Sequence, residues 1–248
     1  RKEIRELPLE LYDFIINDYE YLTSAACKQR GLNSVNFGHQ ASFQSNQVPR
    51  PATISKPGEW MLKHYSKSRR YVGLHFRQYD DFILTPVIKK DILEADPKDK
   101  GHITVYLPSY CDKELTVLFS KFKAHRFEIF SRQSVVVRDE GNIRFLPVDR
   151  HLFNKSLIQC TSIITGAGFE TPAEALHLGK KIMAIPIRGQ YEQCCNAAAL
   201  KEMGVMTLPC IDDDFEQQFE KWQNEYKSIK MDYSKTIPQS MERLFATR

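Results

Sequence analysis

The sequence predicts an α/β chain built around parallel sheet. Three observations carry this expectation. Strand-like and helical patterns alternate from residue 102 to the end, a shorter strand–helix–strand pattern fills residues 12–38, and a charged segment with Pro97 and Gly101 separates the two. The background is ordinary globular composition, with 42% hydrophobic and 27% charged residues in 248.

In chain order, residues 12–17 (YDFIIN) form a short apolar run of the buried-strand type, followed by a helical pattern over 19–30 that stops at Gly31. A second run, 34–38, ends at His39. Parallel sheets place ligands beyond the carboxyl ends of their strands, so His39 sits where chemistry is usually done. Pro49, Pro51 and Pro57 make residues 47–58 a surface loop. Runs 71–76 and 82–88 read as strands, and the charged segment 89–101 divides the chain near residue 95 into domains 1–95 and 96–248.

Beyond that division the expected order is strand 102–107, helix 112–123, strand 127–130, a strand near Val135, strand 143–146 and a helix near 153–160. Strand 162–165, a helix from Pro172, strand 182–187, helix 191–203 and strand 205–208 follow, then amphipathic helices from Asp213. This rhythm is that of a doubly wound sheet.

Composition excludes several classes. Thirty-five Lys and Arg against 31 Asp and Glu leave +4, short of a nucleic-acid footprint, so anionic ligands or a membrane surface are the expected partners. No stretch reaches the roughly 20 apolar residues of a spanning helix. The six cysteines show no metal-ligand spacing, which predicts a reduced, cytoplasmic protein. Asp212, Asp213 and Asp214 look like helix-capping charge rather than a metal site, and neither a metal nor a cofactor is expected. The sequence opens without Met on a polar segment that leads into a strand, which predicts missing upstream sequence.

The chemistry concentrates in residues 165–205. Strand 162–165 feeds Gly166, Ala167 and Gly168, and Thr171 precedes Pro172 and Glu174. A glycine turn entering a helix N-terminus suits a diphosphate, because unpaired N–H groups and the helix dipole favour anions. The same glycines also suit a plain tight turn. Glu174 has two readings as well, as a ligand contact or as the far end of a Thr171-x-x-Glu174 capping box. The next strand exits through GQYEQ, which delivers Gln190, Glu192 and Gln193 at a helix start, where a carboxylate and an amide suit a sugar ring or simply a solvated helix end. Asn196, one turn further, orders this loop or faces the core.

The pattern GxxTxxE, followed 18 residues later by EQxxNA, resembles the donor-binding signature of GT-B glycosyltransferases. Those include the bacterial lipid-linked N-acetylglucosaminyltransferase and the plant UDP-glycosyltransferases. The resemblance implies two Rossmann-like domains, the N-terminal one incomplete because its usual first strand and glycine-rich loop are absent. It implies that the turn of Gly166, Gly168, Phe169, Glu170 and Thr171 holds the diphosphate, that Glu174 binds ribose, and that Glu192 and Gln193 bind the transferred sugar. Loop 147–154 would lie on the nucleobase side, unless Asp149 is an ordinary cap. The plant-type His before the glycine and the Trp platform are missing.

The expected activity is metal-independent transfer of a sugar from a nucleoside diphosphate, UDP-linked by the resemblance, to a hydroxyl of a lipid-linked or small-molecule acceptor. Peripheral membrane contact would accompany a lipid-linked acceptor. His39 is the candidate base for the acceptor proton, against a structural role. The alternatives are a non-catalytic nucleotide-sugar-binding subunit and a sugar-nucleotide epimerase on the same fold.

Overall fold

The structure is a computed structural model that describes residues 2–245. It forms two compact units, one holding the described residues up to Val87 and from Tyr233 onward, the other running from Ile88 to Asp232.

The first unit contains helix α1 (Lys2–Glu6), strand β1 (Ile16–Asn17), α2 (Tyr21–Arg30), β2 (Val35–Gly38), α3 (Lys56–His64), β3 (Arg70–Leu74) and β4 (Ile83–Leu84). Its four strands pair in parallel in the order β1-β2-β3-β4. Helix α2 ends where the sequence predicts, because Gly31 takes the left-handed conformation (φ 69°) that terminates a helix. Helix α3 falls partly inside the expected loop. Pro57 lies in its first turn, where the missing N–H costs nothing, and the Ser55 hydroxyl accepts from Gly58 N at 3.2 Å as the cap.

The second unit contains α4 (Lys90–Leu93), β5 (His102–Tyr106), α5 (Asp112–Phe119), β6 (Arg126–Ser131), β7 (Arg138–Glu140), β8 (Ile143–Pro147) and α6 (Arg150–Gln159). It continues with β9 (Ser162–Thr165), α7 (Glu170–His177), β10 (Lys181–Ala184), α8 (Tyr191–Glu202), β11 (Met206–Thr207) and α9 (Phe215–Glu225). Its sheet runs β11-β10-β9-β5-β6-β8-β7, parallel throughout except for β7 against β8. No strand forms at Val135, which is 86% exposed; an unpaired valine run gains nothing from a ladder it cannot reach. The core is aromatic on one face, with Phe119, Phe127, Phe145, Phe215, Phe219 and Trp222 all buried, and Trp222 donates its indole N–H to the Ile182 carbonyl at 3.0 Å.

The chain divides at Val87 rather than near residue 95, and its last helix, α10 (Thr236–Phe245), joins the first unit rather than the second. Segment 89–101 is polar yet fastened to the second unit: Lys98 N and Lys100 N donate to the carbonyls of Ile158 and Gln159, and Lys180 Nζ reaches Lys98 O at 2.8 Å. Around α10, Tyr233 donates to Phe76 O at 3.0 Å and Arg70 to Arg243 O at 2.7 Å.

Strand order locates the site. From β5 the chain steps outward through β6 and β8, then returns to lay β9 against the opposite edge of β5. The topological switch point therefore lies between the carboxyl ends of β5 and β9, where doubly wound sheets open a crevice.

Candidate functional site

Residues 166–169 leave β9 at this switch point. Gly166 N donates to Tyr106 O across it at 3.3 Å, and the buried Asn196 amide holds the turn from α8 through a 3.1 Å bond to Ala167 O. Asn196 is thus buried in the core and fastens the glycine turn, not the 187–193 loop.

The glycines of this turn are not there for the backbone. Neither Gly166 nor Gly168 has positive φ. A Cβ on Gly168 would meet nothing within 4 Å, and one on Gly166 would meet only ordinary contacts, the nearest being Gln193 Oε1 at 3.5 Å. Gly73 is the contrasting case, since a Cβ there would lie 2.7 Å from Ser42 Cα. Packing dictates glycine at 73, whereas at 168 the protein leaves open space before a helix N-terminus.

Helix α7 begins at Glu170 with Phe169 as its cap residue and no side-chain cap bond. The expected capping box is thus not formed: Thr171 and Pro172 lie inside the helix, and Thr171 stands past the cap position held by Phe169. Glu174 is instead buried at 2% exposure, with Oε1 3.0 Å from Lys89 Nζ. Its Oε2 is buried without a hydrogen-bond partner. Lys89 also lies 3.6 Å from the exposed Glu170 carboxylate. Burial raises the Glu174 pKa above the usual carboxylate value, and the Lys89 hydrogen bond and charge only partly offset it.

The sign of the resulting pH dependence follows. A carboxyl whose folded pKa is raised contributes stability below its unfolded pKa and loses it as pH rises through the folded value. Glu174→Gln should therefore gain stability over the parent as pH rises, compared by urea unfolding at about pH 5 and pH 8. A constant difference between the two proteins would show that the Glu174 carboxyl is ionised alike in both states.

The loop after β10 adds a second shelf. Gln193 Oε1 accepts from Ile187 N at 2.9 Å and its Nε2 donates to Gln190 Oε1 at 2.9 Å, so the amide spans its own loop. One donor and one acceptor position remain on it. Glu192 is half-buried in the first turn of α8. In loop 147–154, Asp149 Oδ1 accepts from Leu152 N at 2.9 Å and is the ordinary cap of α6.

In the first unit, His39 follows β2 at the carboxyl edge of the sheet. It is 6% exposed, with Nδ1 2.9 Å from Leu74 O and its ring centroid 5.0 Å from those of both Phe43 and His75. A carbonyl opposite Nδ1 accepts the proton carried there, which fixes the orientation of the ring. His75 is fully buried, and burial holds its pKa well below the usual histidine value, with His39 and Arg50 adding to the effect.

Sequence reasoning missed Lys89, for which no local pattern exists, because it meets Glu174 only through the fold. Among the described residues no three His, Cys, Asp or Glu side chains gather as a metal site, and no helix is long and apolar enough to cross a membrane.

Two parallel sheets in two α/β units, the second doubly wound with a glycine turn at its switch point, define the GT-B class of glycosyltransferase fold. The chain belongs to glycosyl transferase family 1, whose profile matches residues 10–221, and it is a glycosyltransferase. A search of curated protein sequences found no match to the chain. Among solved structures it is similar to Phytolacca americana UGT2 complexed with UDP-2fluoro-glucose and pterostilbene, at TM-score 0.58 and 13% identity over 93% of this chain and 69% of that one. It is also similar to Acinetobacter baumannii MurG (TM-score 0.55, 18% identity, covering 90% and 68%). A third is the spinosyn forosaminyltransferase SpnP (TM-score 0.53, 13% identity, covering 90% and 70%).

Proposed function

We propose that residues 88–232 form a donor-binding domain for a nucleoside diphosphate sugar, with UDP the expected nucleotide, and that the first unit serves the acceptor. The observation that carries this reading is Glu174: a buried carboxylate with one oxygen unpartnered, one helical turn beyond an open glycine turn at the switch point. A ribose hydroxyl donating to Oε2 would satisfy it. The diphosphate then lies on the turn of Gly166, Gly168, Phe169, Glu170 and Thr171, held by backbone N–H groups from residue 167 onward, since the Gly166 N–H is taken by Tyr106 O. The helix dipole stabilises the leaving diphosphate without calling on a metal. UGT2 of Phytolacca americana, which shares the fold, was solved with a UDP sugar.

Thermal shift with a panel of nucleoside diphosphates tests the reading, since a ligand at 100 times its dissociation constant stabilises by about 2.7 kcal/mol. No shift with any member of the panel would overturn it. Glu174→Gln should cost one to two orders of magnitude in nucleotide affinity, the worth of a hydrogen bond to a charged group at about 1.5–3 kcal/mol. Binding to the parent should likewise weaken as pH falls and Glu174 takes up its proton.

Glu192 and Gln193 are assigned to the transferred sugar, Gln193 through the hydrogen-bonding positions its loop leaves over. Their substitutions should behave differently. Glu192→Ala should weaken the sugar nucleotide by roughly tenfold to a hundredfold and the bare nucleoside diphosphate hardly at all. Gln193→Ala releases the loop and should weaken both ligands, by about tenfold each. Calorimetric titration of each variant with each ligand separates the two. Equal losses in Glu192→Ala would make that residue an organiser of the loop instead.

The acceptor hydroxyl gives its proton to His39 as it attacks the anomeric carbon. A lipid-linked acceptor fits the face of α3, where Trp60, Met61 and Tyr65 are exposed beside Lys56 and Lys63, a composition suited to a membrane interface. Co-sedimentation with anionic vesicles, lost in Trp60→Ser, checks it.

A further inference from the structure

The amino-terminal edge of the second sheet, opposite the glycine turn, carries a cavity of about 670 Å³. Lys100, Arg126, Arg144 and Lys155 all line it. They arrive from four separate segments: the approach to β5, the first residue of β6, strand β8 and helix α6. The floor is His102, buried at 6% exposure, with Nε2 3.2 Å from Ser156 Oγ and 3.3 Å from Glu128 Oε2.

Charge in this cavity is unbalanced. Four permanent cations face two carboxylates, Glu128 and Asp139. Asp139 lies 3.6 Å from Arg144, and Glu128 is beside His102. Lys100 and Lys155 make no ion pair among the described residues, and Arg126 donates only to the Lys100 carbonyl. Cations gathered on one cavity repel one another unless an anion joins them. The volume is that of a small-molecule site rather than of a bare ion.

We propose that this cavity is a second ligand site, for a phosphate ester of a polyhydroxylated molecule: the phosphate is held by Lys100, Arg126, Arg144 and Lys155, and hydroxyls donate to Glu128. It lies on the edge of the sheet away from the glycine turn, so it is independent of the donor assignment. A soluble sugar phosphate and a phosphorylated lipid headgroup present the same group, and two arms of one experiment distinguish them.

Glucose 6-phosphate, with glucose as control, is titrated calorimetrically at low salt into the parent, Gly168→Val, and the double variant Arg144→Ala/Lys155→Ala, whose side chains are exposed and whose fold is checked by circular dichroism. In parallel, phosphatidylcholine vesicles with and without phosphatidate are co-sedimented with each protein. The proposal expects the ester, but not glucose, to bind the parent and Gly168→Val alike, with the double variant weaker by about tenfold or more. Phosphatidate-dependent sedimentation lost in the double variant, without ester binding, supports the site with a lipid source. Binding in neither arm, binding unaffected by the double variant, or binding lost in Gly168→Val alone would overturn it.

Discussion

Gly168→Val is expected to lose about a thousandfold in nucleoside diphosphate affinity, roughly 4 kcal/mol, while the free protein unfolds within about 0.5 kcal/mol of the parent. The asymmetry comes from what a side chain at 168 would meet. On the protein side it meets open space and a backbone without positive φ, so the fold has no reason to reject it. On the proposed ligand side its branched carbons occupy the volume through which phosphate oxygens reach the N–H groups of α7. Overpacking of about 1–3 kcal/mol then adds to the loss of hydrogen bonds to a charged group, about 1.5–3 kcal/mol each. Gly73→Ala should behave in the opposite way, destabilising by about 1–3 kcal/mol without touching nucleotide affinity directly, because its new Cβ would meet the Ser42 backbone. Urea unfolding and calorimetric titration of both variants check the pair. Parent-like nucleotide affinity in Gly168→Val would remove the diphosphate from this turn.

His39→Asn is expected to lower kcat by about a hundredfold to ten-thousandfold with nucleotide affinity unchanged, as removal of a general base does. Asparagine places its amide nitrogen where the imidazole Nδ1 lies and retains a donor to the Leu74 carbonyl, so the loss reports on proton transfer rather than on the loop. Release of nucleoside diphosphate from the donor, with water or the acceptor as nucleophile, provides the readout. An unchanged rate would leave His39 as a buried residue packed on Phe43 and His75. Release of nucleoside diphosphate without sugar transfer to any acceptor would favour the epimerase reading.

Much of the architecture was legible because it rests on local signals. Gly31 ends α2, the glycine turn follows β9, and the alternation of strands and helices from residue 102 onward is that of the observed doubly wound sheet. The misses come from one local cap and from long-range pairing that no local pattern shows. Pro57 reads as a breaker until Ser55 is seen to cap the turn that contains it. The valines at 135–137 have strand composition, but no neighbouring strand pairs with them. Segment 89–101 has the composition of a linker, although its backbone bonds fasten it to α6.

At the site, the glycine and acidic positions are visible in sequence, yet their meaning is not. Thr171-x-x-Glu174 has the spacing of a capping box, and only the fold shows α7 starting at Glu170 and the Glu174 carboxylate turned to Lys89, 85 positions away. Sequence likewise gives no sign that the Gln193 amide braces its own loop through Ile187 and Gln190.

Amide hydrogen exchange of the parent, with and without a saturating nucleoside diphosphate, tests the central claim most directly. The account predicts that the strongest new protection falls on the N–H groups of residues 167–171, with a second region at 187–193 appearing only with the sugar nucleotide. Protection confined to other segments, with 167–171 exchanging at its free rate while nucleotide is bound, would contradict it.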